Sequence, residues 1–545
     1  MSGILSIGKS ALNAAQVGLT VTGHNIANVN TPGYSRQTVV QAAAQAQSYG
    51  FGFIGQGAEV SSVSRVYNDI LVGQVVSSQS TSASADTYST QLSTIDNMLS
   101  DASAGINPAL NGFFSGVQDL SSNPSDIPTR QSMLSNAQSL VNRLQSTSNR
   151  LNEIRDGINT QLSSSTGLVN VYARQIASLN DTIEKTVSAG GDQPNDLLDQ
   201  RDQIVLELSK LVKTTVVPQG QGSYNIYVGN GLPLVVGAST MSLTTTGSPT
   251  DPTRLEVAYQ SNGKTTVLSA NSLPGGTIGG LLQFRSESLD PAQNQIGQIA
   301  VVLASDFNTQ HKLGIDLNGN AGGDLFNIPA PVVNTNSNNT GNATVSSVIS
   351  DAHAITSSDY HLKFDGTNYT ITRQSDNKIL SNAGLPQTID GIDFDISSGA
   401  MAAGDEFIIR PTHNAATTLS LAITDPRKLA MGTTTAPGDN SNGLLLASLQ
   451  SQSTINSSSG AGTSYSAAFS QLVNSVGNKT RELKVTAAAE AQVLEQNTAA
   501  VQSLSGVNLD EEATNLIRYQ QAYQAAGKMM QIASQLFDTL LQLGQ

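Results

Sequence analysis

Both ends of this chain carry an apolar stripe with a seven-residue repeat, and that feature limits the fold more than any other. Leu5, Gly8, Leu12, Ala15, Leu19, Thr22 and Ile26 follow one another at alternating gaps of three and four. Leu516, Tyr519, Tyr523, Ala526, Met530, Ala533, Phe537 and Leu540 do the same. Such spacing keeps each set on one face of a helix, and the face must be covered. The first stripe spans about three heptads, too short to stand as a coiled coil by itself. A single amphipathic helix usually packs on its own domain. Two heptad helices at opposite ends of a Ser/Gln-rich chain point instead to pairing with each other and then with copies of the chain. The first helix is predicted to stop at Asn30-Thr31-Pro32-Gly33, because Pro32 biases Thr31 away from helix and Gly33 allows a turn. Asp510, Glu511 and Glu512 stand where carboxylates favour the start of the second.

The charge balance bears on what such a chain can bind. Lys and Arg total 27, Asp and Glu total 41, and the formal charge is −14. A nucleic-acid partner would demand a basic face, so none is expected. Charged residues make up only 12%, against about 25% in ordinary domains. Weak like-charge repulsion suits a chain that packs beside many copies of itself. Cysteine is absent, which excludes disulfides, thiolate metal sites and Cys nucleophiles. No apolar run is long enough for a membrane helix, so no membrane insertion is expected. Residues 1–37 lack the pattern of a secretory signal, so the chain either stays inside or is read by another export route.

Between the ends, periodicities divide the chain into nested, discontinuous parts of a mixed, mainly α protein. Residues 1–35 with 506–545 form a terminal helical, coiled-coil-like assembly domain. Residues 36–83 read as a linker with extended pieces. Residues 84–324 with 432–505 form a helical bundle body, carried by stripes such as Leu134, Ala137, Val141, Leu144, Leu151, Ile154, Ile158 and Leu162, and by Phe469, Val473, Val476 and Leu483. A β-rich excursion lies at 214–275, where Asn230-Gly231 signals a hairpin. Residues 325–431 read as an inserted β-rich outer domain. Residues 432–465 read as a flexible connection around one short helix.

No site for chemistry emerges. Gly50-Phe51-Gly52-Phe53-Ile54-Gly55 matches a dinucleotide fingerprint, but no helix follows it. Asp316, Asn318, Asn320 and Asp324 alternate as calcium ligands do, yet the loop lacks Gly at its sixth position and Glu at its twelfth. The five histidines, His24, His311, His353, His361 and His413, form no metalloprotease arrangement. No Gly-x-Ser-x-Gly elbow is present. The expectation is a protein that is not an enzyme and has no cofactor and no catalytic or metal-binding residue.

Residues 24–37, His-Asn-Ile-Ala-Asn-Val-Asn-Thr-Pro-Gly-Tyr-Ser-Arg-Gln, resemble the N-terminal signature of the bacterial flagellar rod/hook axial family. Residues 507–513, Val-Asn-Leu-Asp-Glu-Glu-Ala, and 515–528, from Asn515-Leu516-Ile517-Arg518-Tyr519-Gln520-Gln521 to Lys528, resemble its C-terminal signature. The Glu-Glu-Ala and Arg-Tyr-Gln-Gln forms are nearer to its hook–filament junction members than to rod or hook proteins, and Asn195-Asp196-Leu197-Leu198-Asp199-Gln200-Arg201-Asp202 resembles them too. Gly527 departs from the usual alanine and weakens the helix by about 1 kcal/mol. The resemblance implies a tubular layer of copies on the distal hook that enables filament attachment, touching hook protein on one face and the next junction protein on the other. It implies flagellar type III export to an extracellular site, and an export chaperone on the C-terminal helix. The expected assembly interface is Leu5, Leu12, Leu19, Ile26, Leu516, Tyr519, Tyr523, Met530, Phe537 and Leu540. Asn28, Pro32, Gly33 and Tyr34 shape the exit from the first helix, and both terminal helices are expected to be poorly ordered in the monomer. The competing readings are another axial component (hook or distal rod protein), a surface adhesin gripping its ligand through the β-domain, and a hydrolase in the central insertion.

Overall fold

The computed structural model describes residues 2–48, 50, 52–101, 105–261, 263–456 and 462–543. Its helices in chain order are α1 (Ser2–Ala27), α2 (Asp69–Leu99), α3 (Ile106–Ser122), α4 (Ile127–Ser188), α5 (Asn195–Leu211), α6 (Gly276–Phe284), α7 (Asp290–His311), α8 (Ala415–Thr418), α9 (Ser441–Ser448), α10 (Tyr465–Ser505) and α11 (Leu509–Leu543). All strand pairs among the described residues are antiparallel.

The spine is α4. It has 62 residues, so at 1.5 Å per residue it is about 93 Å long. Asp126 starts it by accepting from the Thr129 amide, and Pro128 sits where a helix needs no donor. The apolar stripe read from the sequence is its buried face, from Leu134 through Leu162, and continues to Ile176 and Ile183. Helix α10 returns along α2 in the opposite direction. Gly477 faces Asp96 near one end, and Asn497 donates to the Ser78 hydroxyl near the other. An aromatic cluster ties α3, α7 and α10 together. The Phe113 and Phe307 rings lie 4.8 Å apart, Phe114 stacks on Tyr465 at 6.1 Å, and Phe326 meets Phe307 at 6.2 Å. Each such pair contributes about 0.5–1.5 kcal/mol beyond burial.

Helix α2 begins at Asp69, not near residue 84 as expected. The Asn68 side chain caps it by accepting from the Ile70 and Leu71 amides. After two apolar turns (Ile70, Leu71, Val72, Val75 and Val76) it runs through Ser77-Ser78-Gln79-Ser80-Thr81-Ser82, and buried Ser78 and Ser80 stand where apolar residues would have continued the period. The rest of the expected linker is a hairpin, Gln37–Ala43 against Ala58–Arg65, with the short pair Gln47–Ser48 and Phe53–Ile54 beyond it. The glycine-rich hexapeptide therefore leads from one strand into another, and the βαβ context of a dinucleotide site is missing.

The excursion at 214–275 forms a four-stranded and a three-stranded sheet. Helix α4 holds it through side-chain amides. Asn180 donates to the Tyr224 and Gly237 carbonyls, and Asn170 to the Leu243 carbonyl. The outer unit consists of a five-stranded sheet and a three-stranded sheet whose strands run from Val332–Thr335 to Glu406–Arg410. These sheets are narrower than the expected 325–431. Phe326 and Asn327 pair with Leu421 and Ser420 beside the body, α8 packs on α4, and Arg130 of α4 donates to the Pro426 and Leu429 carbonyls. The segment expected to be a flexible connection is also built in at its start. Asn442 is buried and donates to the Ala430 carbonyl while accepting from Gln310. Residues 457–461 of that segment lie outside the described ones.

Candidate assembly module and its joint to the body

Helices α1 and α11 pack antiparallel, and glycines set how closely. A Cβ added at Gly18 would fall 2.6 Å from Tyr519 ring carbons, and one at Gly8 would fall 2.7 Å from the Met530 sulfur. The face that meets α11 is thus the small one. Gly8, Ala15, Gly18 and Thr22 are buried, as are Ala526 and Ala533 opposite. Tyr519 and Met530 stand in this contact, against Gly18 and Gly8, while the other large residues expected to form the seam are not fully enclosed by it. Leu5, Leu12, Leu19 and Ile26 are half-buried, as are Leu516, Tyr519 and Met530. Tyr523 is 44% exposed and Phe537 48%. Leu540 is helical, but its side chain lies outside the described ones. Sequence reasoning missed a second exposed set on α11, Ile517 (54%), Ile532 (58%) and Leu536. The gap of four between Ile532 and Leu536 is the signal for this set, and it lies off the first stripe. Both ends are continuous helices, joined along the glycine face.

The exit from α1 is built around one buried amide. The Asn25 side chain accepts from the Tyr34 hydroxyl (2.7 Å) and the Gln37 amide (2.9 Å), and donates to the Gln37 carbonyl (2.9 Å). It closes the corner between helix and hairpin as a strand partner would. Asn28 donates to the His24 carbonyl and accepts from the Thr31 hydroxyl, closing the helix end. Pro32 and Gly33 lie exposed in the turn, and Gly33 has φ of 78°, where a Cβ would also meet Gln203. Burial, then the nearby Asp196, Asp199 and Glu512 carboxylates, push the Tyr34 phenol well up, so it remains a donor.

One face of α5 receives this corner. Asn195 donates to the Val63 carbonyl, and Asp196 accepts from the Gln37 side chain. Asp199 accepts from the Ser35 amide at 2.8 Å, and Arg65 bridges Asp199 (2.8 Å) and Asp202 (2.6 Å). The Arg65 guanidinium also lies 3.9 Å from the Tyr67 ring centroid. Arg36 joins the two chain ends, bonding the Ser505 carbonyl through its backbone and Glu511 through its side chain (2.6 Å). The inner segment at 195–202 is thus the socket for the terminal module. Sequence reasoning quoted its residues without assigning them this role. A cavity of about 760 Å³ lies at the joint, lined by Tyr34, Tyr67, Val72, Leu206, Val501 and Leu504 among others.

Among the described residues no group of three or more His, Asp or Glu stands together to hold a metal. Asp316 accepts from the Asn318 and Asn320 amides, so its carboxylate organises a turn. His311 is a structural link: Nε2 accepts from the Ala430 amide and Nδ1 donates to the Gly323 carbonyl. His353 meets Asp306 at 2.5 Å and His361 lies 3.5 Å from Glu406. Among the described residues no helix is long and apolar enough to cross a membrane.

Comparison with known proteins follows the same parts. Residues 92–326 match the helical domain of flagellar hook-associated protein FlgK, and 334–411 match the D2-like domain of flagellar hook-associated protein 1. Residues 5–34 match the flagella basal body rod protein family, and 500–543 the C-terminal family of flagellar basal body rod FlgEFG proteins. Flagellar hook-associated protein 1 of Salmonella typhimurium is 38% identical over 557 aligned residues, covering 100% of both chains. That of Escherichia coli K12 is 37% identical with the same coverage, and that of Bacillus subtilis 25% over 98% of this chain and 97% of its own. The solved structure of the flagellar hook junction protein FlgK from Burkholderia pseudomallei matches with a TM-score of 0.74 and 30% identity, over 79% of this chain and all of that one. End-to-end identity, joined to the nested helical and β-rich architecture, shows that the chain belongs to the flagellar hook-associated protein 1 (FlgK) family.

Proposed function

We propose that this protein is a structural junction component of the bacterial flagellum, forming a layer of copies on the distal hook from which the filament grows. The observation that carries the reading is the α1–α11 pair, closed along its glycine face while its large apolar residues stay half-buried or exposed. Leu5, Leu12, Leu19, Ile26, Tyr523, Ile532 and Phe537 offer apolar area that neighbouring copies can bury. Hook protein and the next junction protein meet the two faces of the layer. The protein leaves the cell through the flagellar type III apparatus and acts outside it, with an export chaperone covering α11 beforehand. Its work is mechanical, and no reaction is assigned to it.

The test is deletion of the gene in its source organism, with flagellin measured in the medium and on the cell. Shed flagellin and bare hooks, restored by the parent gene but not by Ile532→Asp with Phe537→Asp, are expected. These two side chains are exposed in the single chain, so the variant keeps its fold. Intact filaments in the deletion strain would sink the junction reading. Retained surface binding after removal of residues 1–35 and 506–545 would favour an adhesin.

A further inference from the structure

Where the outer β unit meets the helical body, four arginines and four carboxylates form a largely buried network of two adjoining ion-pair clusters. Arg155 of α4 donates to Asp290 (3.1 Å) and Gln293 at the start of α7. Arg254 bridges Asp290 (3.0 Å) and Glu256 (2.6 Å), and Arg285 donates to Glu256 (2.6 Å) and the Leu255 carbonyl. Arg410 donates to Asp251 (2.5 Å) and Asp359 (3.0 Å), and Asn294 of α7 donates to the other oxygen of Asp359. His413 lies 3.0 Å from Arg155 through Nε2. Arg155 can only donate, so that nitrogen accepts and the imidazole is neutral. Burial and the surrounding guanidinium groups hold its pKa down. Formal charge within the network therefore cancels.

The members come from three parts of the fold. Arg155, Asp290 and Asn294 belong to body helices, while Asp251, Arg254 and Glu256 belong to the Asp251–Ser261 strand of the excursion. Asp359 and Arg410 are the only network members from the outer unit. They sit at the root of two adjacent strands, next to the Tyr360–Ile409 pairing. The neighbouring ends of those two strands are thus pinned by directional bonds. A buried ion network adds little net stability over apolar packing, but removal of one partner strands another charge in low dielectric. A swing of the outer unit would have to break the Arg410 and Asp359 bonds together, along with those from Gln298 to the Ile355 carbonyl, between His353 and Asp306, and from the Ser337 amide to the Pro249 carbonyl. Apolar contacts could slide where these bonds cannot.

We propose that this network is a rigid coupling that fixes the attitude of the outer β unit on the helical body, so that the two move as one piece and force on the outer unit passes into α4. The proposal concerns the single chain and does not depend on the junction reading. It is testable because the chain contains no cysteine. Spin labels at Val348→Cys and Leu168→Cys, both exposed, report the distance between outer unit and body in the full-length protein. A second pair, Leu168→Cys with Val485→Cys, reports the body alone. The parent should give one narrow outer-unit distribution. Arg410→Met should widen or split it while the body pair stays narrow. Asp359→Asn, which keeps shape and removes charge, serves if Arg410→Met does not fold, and should act in the same direction. A broad distribution in the parent, or a narrow one in whichever variant folds, would overturn the coupling.

Discussion

Replacing Gly18 by alanine should loosen the terminal helix pair although it improves the helix. The new Cβ would stand 2.6 Å from Cδ1 and Cε1 of Tyr519 and 2.8 Å from Cγ. Carbon atoms in good contact lie about 3.5–4.0 Å apart, so α1 and α11 must part by about 1 Å or the ring must turn. Overpacking of this kind costs about 1–3 kcal/mol. Against it stands about 1 kcal/mol gained by removing glycine from a helix interior. The net expectation is a loss of about 0–2 kcal/mol. Gly23, one and a half turns further along α1, and Gly527 in α11 have nothing within 4 Å of an added Cβ. Alanine there should stabilise by about 1 kcal/mol. Gly18→Ala and Gly23→Ala should therefore differ by about 1–3 kcal/mol, roughly 5- to 150-fold in the equilibrium for opening α1. Hydrogen exchange of the α1 amides in the full-length monomer reads that equilibrium directly. The reasoning fails if Gly18→Ala protects α1 as much as Gly23→Ala does.

Two further outcomes follow from buried polar groups. Asn25→Ala removes the partner of the Tyr34 hydroxyl and of both backbone groups of Gln37. At about 1–3 kcal/mol per stranded buried group, exchange protection at residues 34–38 should fall at least tenfold, with the middle of α4 unchanged as the control. Global stability should also fall on mild acidification. His311 and His413 are buried, and burial holds both pKa values below the free imidazole value. A group with a depressed folded pKa contributes stability above its unfolded value, about 6.5, and loses it as pH falls through the window below. The loss approaches at most about 1.4 kcal/mol per pH unit for each histidine, and only between its folded and unfolded pKa values. Urea midpoints should drop between pH 7 and pH 5, less steeply in His311→Gln. Equal midpoints at both pH values would refute the assignment of neutral imidazoles.

The terminal helices were legible because a seven-residue repeat depends only on helix geometry. The α4 stripe from Leu134 to Leu162 and the Asn230-Gly231 turn were legible for the same local reason. Burial of an apolar side chain, worth about 1.5–3 kcal/mol, forces such faces inward wherever the rest of the chain lies. What the repeat could not tell was which members of the stripe would touch. Gly8, Ala15 and Gly18 let α1 approach α11 closely, and that approach leaves Leu12, Leu19 and Ile26 as flanks. The start of α2 was hidden because buried serines break the apolar period after its first two turns, while Asn68, its cap, is equally at home in a loop. The socket on α5 and the Arg410–Asp359 network were beyond sequence reasoning for a different reason. Asp199 and Arg65 are 134 positions apart, and Arg410 and Asp251 are 159. Ion pairs at such separations have no period. Each charge reads as a surface residue until the folded chain brings its partner beside it and excludes the water between them.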